Sequence, residues 1–244
     1  MIRHEAYTRE RLAATAELLR ARIRPETIEP DELLVAGPVD RISREEAQGL
    51  DYRLAQAGER LGPLWATYWF RVRATIPDRW AGRRVDLIWE SRAESLLWLE
   101  GRSIQGLHGT EPHQRPDATV LISAAGGEQV ELEIELACNG LFGKLDAPPE
   151  VRRCELAVVD EDAWRTYFDF EVLRELELAE HLDPAFRGHL RAELNRFCNE
   201  SDPAILAALY EHRSATRVHE MAAVGHAHID TAWLWPLAET QRKL

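Results

Sequence analysis

The sequence predicts a mixed α and β chain: an N-terminal helix, an antiparallel β-sandwich, a helical connector, and the opening of an α/β domain. Two observations carry this prediction. Apolar residues recur at helical spacing over the first 25 residues, at a period of two from Gly62, and at helical spacing again after Asp160. Near the C-terminal end an apolar run, a polar cluster and a helix start follow one another, which is how an α/β domain opens.

In the first segment Leu12, Leu18, Leu19 and Ile23 fall near one helical stripe with arginines between them, and Pro25 ends the helix. The charged stretch Asp40–Glu46 is expected at the surface. Strands are expected over Trp65–Ala74, Arg84–Glu90, Ser95–Glu100, Ala118–Ile122, Glu128–Cys138 and Cys154–Val159. In Trp65–Ala74 the residues Tyr68, Phe70 and Val72 share one face, and Trp69, Arg71 and Arg73 the other. In Glu128–Cys138 the residues Val130, Leu132, Ile134 and Leu136 alternate with glutamates, predicting a half-buried strand with a wet outer face. Glu100-Gly101 and Gly126-Gly127 read as turns between strands. Six short strands at this spacing predict a sandwich. Helices follow over Trp164–Ala179, with Phe168, Val172, Leu176 and Ala179 as its apolar stripe, then Pro184–Phe197 and Pro203–Tyr210. Met221–Val224 reads as a short parallel strand, expected to be buried in a longer parent protein but exposed in this chain, where its neighbouring strands are missing. The expected divisions are 1–61 for helix and linker, 62–160 for the sandwich, 161–215 for the connector and 216–244 for the start of an α/β domain.

Composition narrows the function. The 244 residues carry 30 Lys and Arg against 42 Asp and Glu, a formal charge of −12. That balance argues against a nucleic-acid partner. No apolar run reaches the roughly 18 residues of a membrane span, and the N-terminus lacks the apolar core of a secretory signal. Cys138, Cys154 and Cys198 fit no metal or disulfide spacing, so they read as buried thiols in a reduced compartment. The location expected is cytoplasmic. Eight tryptophans are an unusual number, read first as packing residues and second as sugar platforms.

The chemistry concentrates in one cluster. His226, His228 and Asp230 alternate, so an extended backbone would turn all three to one side as ligands for a divalent cation. Two functional readings stand at this level. One is the His-x-His pair of a metal-dependent amidohydrolase, in which His226 also binds the ion. The other makes the sandwich a non-catalytic carbohydrate-binding module with Trp65, Trp69 or Trp98 as its exposed platform.

The run GHAHIDTAWLWPLAET, Gly225 to Thr240, resembles the opening motif of the catalytic domain in family 38 glycoside hydrolases, the class II α-mannosidases, and is closest to their cytosolic and vacuolar branch. The resemblance implies a jelly-roll-like sandwich followed by the first strand and loop of a seven-stranded β/α barrel. It implies that His228 and Asp230 ligate one divalent metal, zinc with cobalt or manganese as alternatives, and that Trp233 supports the mannose ring. His226 falls on a position that is not a ligand in the family. The implied activity is retaining hydrolysis of terminal α-mannosides, with an α-mannosyl oligosaccharide or glycan as partner and a homo-oligomer as a possible assembly. The family's nucleophile and acid/base residue fall beyond Leu244, so no catalytic residue is assigned. The chain is expected to be an N-terminal part that is inactive alone.

Overall fold

A computed structural model describes residues 4–56, 58–108, 115–139, 148–211, 222–226, 228–231 and 233–243. The chain forms two units, Met1–Pro25 with Val159–Gly225, and Glu26–Val158 with His226–Leu244.

The second unit is an antiparallel sandwich. One sheet has the order β1 (Glu26–Ile28), β10 (Arg153–Val158), β5 (Val85–Glu90), β8 (Asp117–Leu121). The other has the order β3 (Arg53–Leu54), β2 (Glu32–Val39), β4 (Thr67–Thr75), β9 (Gln129–Ala137), β6 (Glu94–Leu99), β7 (Arg102–His108). All six expected strands are present. Period-two alternation aims Tyr68, Phe70, Val72 and Ala74 of β4 and Val130, Leu132, Ile134 and Leu136 of β9 into one core, where Phe70 meets Trp89 edge to face at 5.0 Å. Glu100 and Gly101 both take positive φ at the β6–β7 hairpin, the conformation a tight two-residue turn demands.

Residues 26–61, expected to be a helix-to-sandwich linker, instead supply β1, β2 and β3. Their signal was hidden because β2 is interrupted by Gly37 and Pro38, where the pairing with β4 slips. Gly37 is required there: its φ is 127°, and a Cβ would lie 2.8 Å from the Thr67 carbonyl oxygen. The charged stretch after β2 forms a short helix, α2 (Arg44–Ala47), closed by a reciprocal Ser43–Glu46 capping box.

The wet outer face expected of β9 is a second correction. Glu131 is exposed, but Glu133 bonds to Arg44 and Gln48, and Glu135 is only 6% exposed. Trp69, on the same outer face, is 1% exposed. A strand of an antiparallel sheet alternates cleanly only where nothing covers its far side.

The first unit packs α1 (Glu5–Arg22), α3 (Glu161–Leu178), α4 (Pro184–Glu200) and α5 (Pro203–Tyr210) around Leu12, Phe170, Leu190, Phe197 and Leu206. Asp160, Asp183 and Asp202 cap the last three helices with their carboxylates, the latter two ahead of a first-turn proline. Two apolar stripes differ from expectation. In α1 Leu18 is exposed, and the buried set is Leu12, Ala16, Leu19 and Ile23, a tighter 4-3-4 repeat. In α3 Phe168, Val172 and Leu176 are exposed, while Phe170, Leu173 and Glu177 are buried. Glu177 is tolerated inside because Arg191, from α4, donates to it through Nε at 2.6 Å. Cys138 is buried, Cys154 and Cys198 are half-buried, and all three are free thiols.

Candidate metal and sugar site

Of Met221–Val224, expected as a strand in the longer protein but exposed in this chain, Met221 lies outside the described residues, and 222–226 is irregular and exposed. No described strand lies alongside to pair with it, and an isolated strand has no source of stability. Residues 228–230 are likewise irregular, and Trp233–Trp235 forms a bend leading into α6 (Leu237–Lys243).

Two of the three alternating polar residues meet. His228 Nε2 and Asp230 Oδ1 lie 3.0 Å apart, with side chains 75% and 52% exposed. His226 is exposed. Among the described residues no group of three or more His, Cys, Asp or Glu gathers at one point. Trp233 is exposed and stands edge to face with Trp235 at 5.5 Å. The bend is tied to the helix behind it. Trp235 Nε1 donates to Thr240 Oγ1 at 3.0 Å, and that hydroxyl donates to the Asp230 carbonyl at 3.4 Å.

Helix α6 meets the outer face of the six-stranded sheet through buried polar groups. The Arg242 side chain is 7% exposed, and its Nε donates to Glu135 at 3.1 Å, its Nη1 to Glu239 at 2.7 Å and its Nη2 to Thr67 at 2.6 Å. Asn139 donates to Glu239 at 3.2 Å and to Glu94 at 2.8 Å. Burial, chiefly, and the negative charge of Glu239 raise the Glu135 pKa above the ordinary carboxylate value, opposed by the positive charges of Arg242 and Arg41. The neighbouring Cys138 thiol is pushed up to about 12, chiefly by burial.

Residues 31–170 match the alpha-mannosidase jelly roll domain, and residues 218–244 match the N-terminal domain of glycosyl hydrolases family 38. The chain belongs to the family 38 alpha-mannosidases. Human Alpha-mannosidase 2C1 is 36% identical over 226 residues, which cover 84% of this chain and 22% of the human protein. Alpha-mannosidase G of Dictyostelium discoideum is 30% identical over 232 residues, covering 86% of this chain and 21% of that protein. The chain therefore spans about a fifth of the length of these relatives. Among solved structures, a β-glucuronidase from Ruminococcus gnavus aligns at 10% identity and a TM-score of 0.43, covering 57% of this chain and 30% of the other, a likeness too distant to bear on function.

Within the chain the jelly roll match runs from the start of β2 into α3, and the family 38 match contains His226 through α6. The Arg242 cluster thus joins the two matched segments. Sequence reasoning missed it: Glu135 was read as a wet residue, and Glu239 and Arg242 were not singled out. The available signal was their i, i+3 spacing, which sets opposite charges on one face of a short helix. Of the tryptophans named for a carbohydrate platform on the sandwich, Trp69 is buried and Trp65 and Trp98 are half-buried.

Proposed function

We propose that the chain is the N-terminal part of a metal-dependent retaining α-mannosidase that releases terminal mannose from α-mannosyl oligosaccharides or glycans, and that it works in the cytoplasm. One observation carries the reading. The segment matching the family 38 domain presents an imidazole nitrogen and a carboxylate oxygen 3.0 Å apart on an exposed irregular stretch. The two donors, now within hydrogen-bond distance of each other, are of the types that hold a divalent cation, and would offer it an imidazole nitrogen from His228 and a carboxylate oxygen from Asp230. Zinc is the assigned ion, with cobalt or manganese as alternatives. When bound it supplies positive charge that gathers and polarises sugar hydroxyls.

The chain's own residues then have distinct tasks. Asp230 and His228 would hold the cation, and Trp233 offers an exposed indole face to the C–H side of the sugar ring. Thr240 steadies the bend through the Asp230 carbonyl. No residue of this chain is assigned as nucleophile or general acid. No helix among the described residues is long and apolar enough to cross a membrane.

The test is a pair of variants in the full-length enzyme. Asp230→Ala should lower bound metal, measured by mass spectrometry of the digested protein, and α-mannosidase activity together. Trp233→Ala should keep the metal and raise KM for an aryl α-mannoside by about tenfold, within the range for loss of a stacked aromatic. An active, fully metallated Asp230→Ala enzyme would overturn the assignment.

A further inference from the structure

We infer that Arg242 is a positioning residue: it clamps α6, and with it the bend carrying His228, Asp230 and Trp233, onto the outer face of the six-stranded sheet. The jelly roll is then part of the scaffold of the sugar site. The consequence for catalysis rests on the proposed mannosidase site; the clamp itself does not.

The geometry of the guanidinium makes the case. Its three nitrogens donate in three directions, to Glu135 of β9, to Thr67 of β4 and to Glu239 of α6 itself. Thr67 and Glu135 lie one step apart diagonally on adjacent strands, since Thr67 pairs with Ala137 and Trp69 with Glu135. Glu239 continues the contact to Asn139, whose amide also reaches Glu94 on β6, so one helix face is bonded to two strands and the exit of β9, and through Asn139 is linked to a third strand. A buried guanidinium that loses part of this set is left with unsatisfied donors, which penalises any other seating of the helix. From the same helix Thr240 reaches Trp235 and the Asp230 carbonyl. The path therefore runs from sheet to Arg242, along one turn of α6, and through Thr240 to the backbone of a candidate ligand. Lysine keeps the charge but lacks the rigid fork, so it should hold the seat only in part.

Amide hydrogen exchange on the 244-residue chain tests the clamp. In Arg242→Met the amides of α6 should exchange at least tenfold faster, with β5 and β10 unchanged. Thr67→Val, which removes only the acceptor on β4, should show a smaller rise in the same helix, and Arg242→Lys should fall between wild type and Arg242→Met. In the full-length enzyme Arg242→Met should raise KM for an aryl α-mannoside about tenfold with kcat within twofold, and Arg242→Lys should recover part of it. Unchanged exchange in α6 overturns the clamp whatever the activity, and an equal rise in β5 and β10 overturns it in favour of general destabilisation. If Arg242→Met does not fold, Thr67→Val decides by the same two criteria. A clamp seen by exchange in a protein whose full-length wild type has no α-mannosidase activity would overturn the site reading and leave the clamp standing.

Discussion

Glu135 shows how much one side chain's surroundings alter its meaning. In the sequence it is one of a row of glutamates on a strand's outer face; in the fold it is buried beside Arg242 and Thr67. Its raised pKa has a definite consequence for stability. The folded state holds the Glu135 proton at pH values where the unfolded state releases it. That contribution is fully present below the ordinary glutamate value of 4.5 and is lost as pH rises through the folded value. Glu135→Gln lacks it. The stability of wild type relative to Glu135→Gln, from urea unfolding at a series of pH values, should therefore decline as pH rises from about 4.5. A difference that grows with pH would show that attraction to Arg242 outweighs burial. At this scale the candidate site was half legible. The alternation of His228 and Asp230 marked them as a pair, because short-range spacing survives any fold. The partnership of Arg242 with Glu135, 107 residues away, leaves no trace in local periodicity.

The elements divide along the same line. Strands with clean period-two alternation and the helix opened by Pro184 are legible from sequence, since both signals depend on near neighbours. The stripes on α1 and α3 were misread because both helices carry more apolar residues than one face can bury. Leu18 and Phe168 are exposed, while Ala16 and Phe170 are buried. Only packing chooses between competing stripes. Residues 26–61 were misread because β2 is broken at Gly37-Pro38, and β1 and β3 are only 3 and 2 residues long. The caps give an element-scale prediction. Asp183 accepts from the Phe186 amide at 2.9 Å at the start of α4. Asp183→Ala should destabilise the helical unit by about 1 kcal/mol. Urea unfolding followed by far-UV circular dichroism measures this, and an unchanged midpoint would mean that Pro184 and the packing of Leu190 and Leu194 set the helix start alone.

Across the molecule, two architectures with separate cores share one chain. Four helices enclose Leu12, Phe170 and Phe197, and two sheets enclose Phe70, Trp89 and Ile134. The sandwich carries the jelly roll match, while the C-terminal segment, bonded to it through Arg242, carries the family 38 match. On this account the sandwich is built into the catalytic apparatus, and the chemistry at the bend depends on residues far upstream such as Thr67. The central claim is retaining α-mannoside hydrolysis, and stereochemistry tests it most directly. Proton NMR of a full-length enzyme digest of an aryl α-mannoside, read before the sugar equilibrates, should show α-mannose as the first product. β-Mannose appearing first, or no mannose released, would contradict it.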